Sequence, residues 1–387
     1  MMSKAEQMST LSPSIVVTGI GLITPLGCSR EKTWSRVKAG GSIVAEQSSE
    51  DLGEGFSPFF RSAPFVNSNG IHRIFPLAFG AAAESLADSN ADLSRMDPER
   101  VGCSVSVSKP ILPPVLTGIS SPDSVGNFLA RKLKISGPMQ NLVAACATGI
   151  HSLLIASRWL KEKKCDLGLA GSVESSLNPL IISGFKKMGV LSSCPRPFDR
   201  RRDGFMMAEG AGILVLERAE DASRRGARIY ARLLACSVGS DFSHPTSFAG
   251  DGSSIASVIR RAIANSGIFA EDIDYVNLHG TGTPANDAVE TRAVKSVFGK
   301  GAYEVSCSST KSSTGHLLGA AGSLEAGLAC LAIRDKFVPP TANLEEEDPL
   351  CDLDYTPNKG RNKEIDIALS LSFGFGGPIG AVLFQRA

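Results

Sequence analysis

An α/β fold of two or three domains, or one large fused unit, is predicted for this chain; one observation gives the class and a second the size. Short runs rich in β-branched residues alternate with longer runs of helical period along the sequence. Alternation of that kind gives mostly buried sheets covered by helices. The second observation is length. At roughly 150 residues per domain, 387 residues hold two or three domains or one large fused unit.

The elements follow in order. The strands expected are 14–18, 101–107, 140–144, 166–171, 211–217, 227–238, 273–278, 304–308, 365–371 and 380–385. The helices expected are 31–39, 73–89, 124–133, 147–162, 178–187, 253–266, 286–298 and 320–334. The first strand centres on the β-branched run Ile15-Val16-Val17-Thr18, and Gly19 and Gly21 follow it. Helix 147–162 shows an apolar face of Ile150, Leu153, Leu154 and Leu160, and helix 320–334 one of Leu324, Leu328 and Leu331. The elements divide into two halves, 14–226 and 227–387, each ending in a pair of strands. The charged stretch 217–228 links them. No strict sequence repeat is visible, so a duplication shows only in element order.

Composition excludes several classes. Forty basic and 39 acidic side chains give a net charge of +1, so no basic surface announces nucleic acid and no acidic run announces a solvating tail. Hydrophobic content of 43% and charged content of 20% lie in the globular range. With 39 Gly and 21 Pro many turns are expected, but there is no Gly-X-Y period. Nine cysteines are scattered without a Cys-x-x-Cys pair, which reads as reduced, mostly buried thiols of a cytosolic protein. The five histidines also lack metal-ligand spacing, so no metal site is expected. From Gln7 to Ser29 the chain carries no charge, yet its glycines, prolines and β-branched centre fit a strand and turn better than a signal peptide or membrane helix. A soluble cytoplasmic chain without a membrane span is expected.

Four constellations carry chemistry. In Asn141-Leu142-Val143-Ala144-Ala145-Cys146-Ala147-Thr148-Gly149 a buried strand is expected to run into Cys146 at a helix start. The helix dipole there favours a thiolate, so the thiol pKa is expected below the free value of about 8.5. That would make Cys146 a nucleophile. The plainer reading is a buried structural thiol, and the other eight cysteines are assigned to it. In Leu278-His279-Gly280-Thr281-Gly282-Thr283-Pro284 a strand ends at His279, at the mouth of a sheet where α/β proteins place ligands. Asp287 and Glu290 lie on the next helix. No Gly-Lys-Ser/Thr follows, which argues against a phosphate loop. In Ser309-Thr310-Lys311-Ser312-Ser313-Thr314-Gly315-His316, a second histidine precedes an apolar helix that carries Glu325 one step off its stripe. A charge placed there must be paired or exposed, and Lys311 is the candidate partner. Finally, Ser372-Phe373-Gly374-Phe375-Gly376-Gly377 can bring backbone N–H groups to a ligand, as an oxyanion hole requires. A simple turn between two strands is the alternative.

Together these motifs resemble the β-ketoacyl-[acyl-carrier-protein] synthases, the condensing enzymes of fatty-acid and polyketide synthesis. The resemblance runs from Val16-Val17-Thr18-Gly19-Ile20-Gly21 to Phe384 and includes Pro197-Phe198-Asp199, Asp203-Gly204-Phe205 and Glu209-Gly210-Ala211-Gly212. It implies the thiolase-like fold, two similar α/β halves in five α-β-α-β-α layers, and a homodimer. The set Cys146, His279 and His316 resembles the elongating type, in contrast to the Cys-His-Asn initiating type and to thiolases, which offer a second cysteine as base.

The resemblance also implies roles. Cys146 would hold the acyl group, the backbone N–H groups of Cys146 and Phe375 would form the oxyanion hole, and His279 and His316 would stabilise the enolate of malonyl-carrier protein. Lys311 and Glu325 would support the histidine loop. Thr246, Thr281 and Thr283 would contact the phosphopantetheine arm, and Phe375 would be the gate. No cofactor or metal is implied, because decarboxylation drives the condensation. An acidic acyl carrier protein would dock on a basic rim, with Lys186, Lys187, Arg200, Arg201 and Arg202 as candidates.

The chain departs from the family at Leu371, where Asn is usual, at Pro378-Ile379, where Thr-Asn is usual, and in a shortened stretch 108–123 with Lys109-Pro110 and Pro113-Pro114. These departures suggest a specialised branch. Two alternatives stand beside the condensing enzyme: a non-condensing partner subunit of a ketosynthase heterodimer, and an acyltransferase using the same cysteine.

Overall fold

A computed structural model describes residues 13–45, 57–63, 72–109 and 124–387. Most of the predicted 108–123 stretch, from 110 on, lies outside them.

Among the described residues nine strands form one hydrogen-bonded sheet: β1 (Ile15–Ile23), β2 (Val101–Ser106), β3 (Leu167–Glu174), β4 (Gly210–Arg218), β5 (Ala231–Ser240), β6 (Tyr275–Asn277), β7 (Ser306–Ser308), β8 (Ile367–Phe373) and β9 (Pro378–Gln385). Their order is β2-β3-β4-β1-β5-β9-β8-β6-β7. The join between β1 and β5 is short, pairing Ile15, Val16 and Val17 with Leu233, Arg232 and Ala231. Outward from that join both arms repeat one pattern. Each has two antiparallel pairings, β1–β4–β3 on one side and β5–β9–β8 on the other, and then a parallel one, β3–β2 or β8–β6.

The helices are α1 (Arg30–Lys38), α2 (Ile74–Ser89), α3 (Val125–Leu133), α4 (Thr148–Lys161), α5 (Pro179–Lys187), α6 (Ala219–Arg224), α7 (Ser253–Ser266), α8 (Pro284–Phe298), α9 (Lys311–Thr314) and α10 (Ala321–Asp335). Several begin where local chemistry dictates. The Ser29 side chain accepts the Lys32 N–H at the start of α1. Asn178 accepts the Ile181 N–H, with Pro179 as the first residue of α5. Pro284 likewise opens α8. Such caps take up N–H groups that have no partner inside the helix.

Helix α10 is buried on every side from Ala321 to Ile333, Glu325 included. It packs on α4 and touches β3 and β4 of one arm and β8 and β9 of the other. The pair α4/α10 is therefore a central layer. Helices α2 and α3 cover the outer face of the first arm, and α7, with α8 packed on it, covers that of the second. Five layers result, as expected. No helix among the described residues is long and apolar enough to cross a membrane.

One predicted element is absent. Residues 140–144 form no strand, and a single parallel bridge between Met139 and Cys103 stands where the first arm would have its fifth strand. The segment is instead pinned by side chains: the Leu142 N–H donates to Ser106 Oγ at 3.2 Å and the Ala144 N–H to Thr148 Oγ1 at 3.0 Å. An apolar run fits a strand, but a strand also needs a neighbour to bond. The short helix α9 was not anticipated.

Candidate active site

Cys146 lies in a one-turn 3₁₀ segment, Ala145–Ala147, that leads into α4. Ala145 adopts φ +45°, a region that costs a residue with a Cβ about 1–2 kcal/mol. The strain is held from two sides. The Thr148 hydroxyl donates to the Ala145 carbonyl at 2.7 Å, and the Ser372 hydroxyl donates to the Cys146 carbonyl at 2.7 Å. Gly374 lies so near that a Cβ there would stand 2.6 Å from Ala145 Cβ and 2.8 Å from the Cys146 nitrogen. Only glycine allows this approach of the Phe375 loop to the cysteine. Neither the Cys146 nor the Phe375 backbone N–H finds an acceptor among the described residues.

The expected depression of the Cys146 thiol pKa is overturned. Burial pushes the thiol up to about 12, while the charges of Lys311 and Lys109 pull it down and those of Glu174 and Glu325 push it up. Sequence shows the helix start but not the desolvation, and here desolvation wins. Cys146 rests as a thiol, half-buried, and the space it opens on is a cavity.

His279 and His316 enter that cavity from the second half of the chain. Their ring centroids are 5.4 Å apart and their planes nearly perpendicular. Phe373 packs on His279 at 5.2 Å and Phe205 on His316 at 5.0 Å. Burial, with the neighbouring Lys311 charge, drives both well below the usual imidazole range, so both are neutral at pH 7. Nδ1 of each ring is enclosed without a partner among the described residues, which leaves Nε2 as the nitrogen each presents to the cavity.

Carboxylates hold the two loops. Glu290 on α8 accepts the His279 N–H at 2.7 Å and the Gly280 N–H at 2.8 Å, and burial pushes its acid up to about 8. Asp287, one turn earlier, accepts the Phe198 N–H at 2.8 Å and the Gly282 N–H at 3.1 Å, and is likewise pushed up by burial. The sequence placed both on this helix without revealing their task. Gly280 has φ +35°, and a Cβ there would meet Ser309 Cβ at 2.5 Å. The Ser309 hydroxyl donates to the Gly280 carbonyl at 2.7 Å, so the two histidine loops are tied directly together. The His316 N–H donates to the Met206 carbonyl at 2.8 Å and the Ala208 N–H to the His316 carbonyl at 3.0 Å. Lys311 and Glu325 pair as the sequence suggested, both buried, with burial raising the carboxyl to about 7.

One cavity of about 550 Å³ gathers Cys146, His279, His316, Phe375, Thr246, Thr281 and Thr283 in its lining. Thr281 and Thr283 share a hydroxyl hydrogen bond of 3.0 Å. Half-buried Phe375 faces Phe185 at 6.4 Å. Lys311 and Glu325 stand outside the lining, behind the histidines. The departing residues have plain structural places. Leu371 is buried in the core of the second arm, and the Pro378 carbonyl closes the Phe375 loop by accepting the Gly374 N–H at 2.9 Å.

The basic rim needs correction. Arg202 is buried against Asp348, Arg201 pairs with Glu345 at 2.6 Å, and Arg200 with Glu346 at 3.3 Å. The three arginines expected in that rim instead pair with an acidic return at 345–348. Lys186 and Lys187 remain exposed on α5, with the Lys186 ammonium over Phe59 at 5.3 Å.

The sequence missed a second lysine–carboxylate pair. Lys109 lines the cavity and bonds Glu174 at 3.1 Å. Glu174 ends β3 and also accepts from Ser108, Ser176 and, at 3.1 Å, the Gly319 N–H. These donors and Lys109 hold it below the ordinary carboxylate range against the upward pull of burial. No local pattern announces a pair between a turn and a distant strand end.

A fold of this layering with a cysteine and two histidines at one cavity defines a condensing enzyme of the thiolase-like class. The beta-ketoacyl synthase N-terminal domain model matches residues 12–222 and the C-terminal domain model residues 230–345. The chain belongs to the β-ketoacyl synthase family. It is 34% identical to 3-oxoacyl-[acyl-carrier-protein] synthase 2 of Coxiella burnetii, over 96% of this chain and 98% of that protein. It is 32% identical to the tetracenomycin polyketide synthase ketoacyl synthase alpha subunit of Streptomyces glaucescens, over 96% of this chain and 97% of that protein. Among solved structures it resembles the AntDE:AntF complex, a type II polyketide synthase acyl-carrier protein with its ketosynthase bound to the hexaketide. The TM-score is 0.88 and the identity 32%, over 97% of this chain and 100% of that one.

Proposed function

We propose that the protein catalyses the decarboxylating condensation of a cysteine-bound acyl group with malonyl-[acyl-carrier protein], giving 3-oxoacyl-[acyl-carrier protein]. The observation that carries this reading is one cavity holding Cys146 and two neutral imidazoles, beside the backbone N–H groups of Cys146 and Phe375, which find no acceptor among the described residues. Similarity to fatty-acid and polyketide synthases supports the same chemistry.

Cys146 Sγ attacks the acyl thioester carbonyl and forms a new carbon–sulfur bond. The two N–H donors take up the oxyanion charge. The pantetheine sulfur leaves, carrying the thiol proton. As charge develops on Sγ, the α4 N-terminus and the Lys311 and Lys109 charges oppose the burial that keeps the thiol protonated at rest. Malonyl thioester then loses carbon dioxide, and the electrons of the broken C–C bond pass to the enolate oxygen. An enclosed lone pair costs less than an enclosed N–H, so each imidazole carries its proton on Nε2, where it can donate to that oxygen. The enolate carbon attacks the acyl-cysteine, and Cys146 leaves and regains a proton.

In this reading Thr246, Thr281 and Thr283 contact the pantetheine arm, Phe375 gates the cysteine, and Lys311 and Glu325 position the histidine loop. No metal or redox cofactor is required, because loss of carbon dioxide drives bond formation. The partner is an acyl carrier protein approaching Lys186 and Lys187, and the assembly is a homodimer of cytoplasmic chains, each built of halves meeting at 226/227. The matching strand order of the two arms supports that division. With acyl- and malonyl-carrier protein, the enzyme should release carbon dioxide and form the 3-oxoacyl product. Cys146→Ala should abolish formation of the 3-oxoacyl product, and full condensation by that variant would overturn the assignment.

A further inference from the structure

Lys109 stands beside Ser108 in the wall of the cavity that holds Cys146, its side chain 31% exposed. An ammonium has three N–H donors. One reaches Ser108 Oγ at 2.7 Å and one reaches Glu174 Oε1 at 3.1 Å. No acceptor among the described residues takes the third. Glu174 is 2% exposed and fixed by its own donors, so it anchors the lysine from behind.

The neighbouring wall is apolar, with Ile181, Phe185, Val190, Phe205 and Leu318. An alkyl chain laid along it would displace water and leave the third N–H without an acceptor, a loss that a hydrogen-bonding group avoids. Because Glu174 already balances the lysine charge, a carboxylate gains no net attraction there, whereas a neutral oxygen gains a bond from a charged donor. Ser108 and Lys109 line the same cavity as Ala145 and Cys146, and Ser108 and Ala145 also line a second cavity together, which places the donor toward the thioester end of a bound acyl group.

We propose that Lys109 is a specificity-determining residue that favours acyl groups bearing a neutral oxygen near the thioester, 3-oxo or 3-hydroxy acyl groups, over plain alkyl chains of equal length. This rests on the reading of Cys146 as the acyl acceptor.

The test uses the full chain with 3-oxohexanoyl- and hexanoyl-pantetheine thioesters. Acylation of Cys146 is followed by mass spectrometry, and each rate is divided by that of the same thioester with a free small thiol. The normalised ratio should favour the 3-oxo compound about tenfold, the scale of one hydrogen bond from a charged donor in a partly wet site. It should fall to about one in Lys109→Met and persist in Lys109→Arg. A wild-type ratio at or below one overturns the proposal even if the Met variant does not fold, and so does a ratio unchanged by Lys109→Met. Equal acylation by both thioesters overturns it while leaving the condensation reading intact. Failure of Cys146 to accept either overturns both.

Discussion

Two lysine–glutamate pairs flank the same cysteine, and they differ in what surrounds them. Lys311 and Glu325 are each 1% exposed by side chain and sit behind the histidines. Lys109 keeps 31% of its side-chain surface and faces the cavity, while its partner Glu174 keeps 3%. One carboxyl is pushed up to about 7 by burial, and the other is pulled below its usual range by four donors. The contrast separates two uses of one ion pair. A pair without other partners is a structural commitment, because neither member can lose the other cheaply. A pair embedded in hydroxyl and amide donors can surrender one member, and so its open end is available to a ligand.

The sharpest way to break this comparison is to remove each lysine. Lys311→Met leaves Glu325 buried and alone, and a loss of about 3–5 kcal/mol is expected in denaturant unfolding. The carboxyl must then keep its proton in the folded state. Its folded pKa already lies above the unfolded 4.5, so between those values the folded state binds more protons than the unfolded. Stability therefore falls as pH rises from about 4.5 through 7, and the variant should carry that decline to higher pH. Lys109→Met leaves Glu174 with Ser108, Ser176 and the Gly319 N–H, and about 1–2 kcal/mol is expected. Equal losses in the two variants would erase the distinction.

A second measurement sharpens it at the cysteine. With the thiol pushed up to about 12, iodoacetamide labelling of Cys146 should climb about tenfold per pH unit through pH 9 without a plateau. Lys109→Met removes a charge that lowers this pKa, so labelling at pH 8 should slow several-fold. A plateau near pH 8 in the wild type would show that the helix N-terminus outweighs burial.

The two pairs also show what a sequence discloses. Glu325 interrupts an apolar helical stripe, and a charge there demands a partner, so Lys311 could be found by need alone. Lys109 and Glu174 interrupt nothing. A lysine in a Ser-Lys-Pro turn and a glutamate at a strand end both read as surface until tertiary packing encloses them. The same limit explains the Cys146 pKa, because helix starts are local features and desolvation is not. It explains 140–144 as well, where an apolar run predicts a strand but strand pairing depends on a distant neighbour. The layer order and the gathering of Cys146, His279 and His316 are expected through the resemblance to the β-ketoacyl synthases, and that resemblance rests on motif order, which is a property of the chain itself.

The smallest effect tests the sign of the argument. Glu174 raises the Cys146 thiol pKa where Lys109 lowers it. Glu174→Gln keeps the shape and an acceptor for Lys109 but deletes the negative charge, so labelling of Cys146 at pH 8 should become modestly faster, opposite to Lys109→Met. The Gln carbonyl offers fewer lone pairs than the carboxylate to Ser108, Ser176 and the Gly319 N–H. Some loss of stability therefore accompanies the change, but a structural loosening alone gives no reason for the two variants to move labelling in opposite directions. If both slow it, the pair acts on the cysteine through packing, and its charge is irrelevant to the thiol.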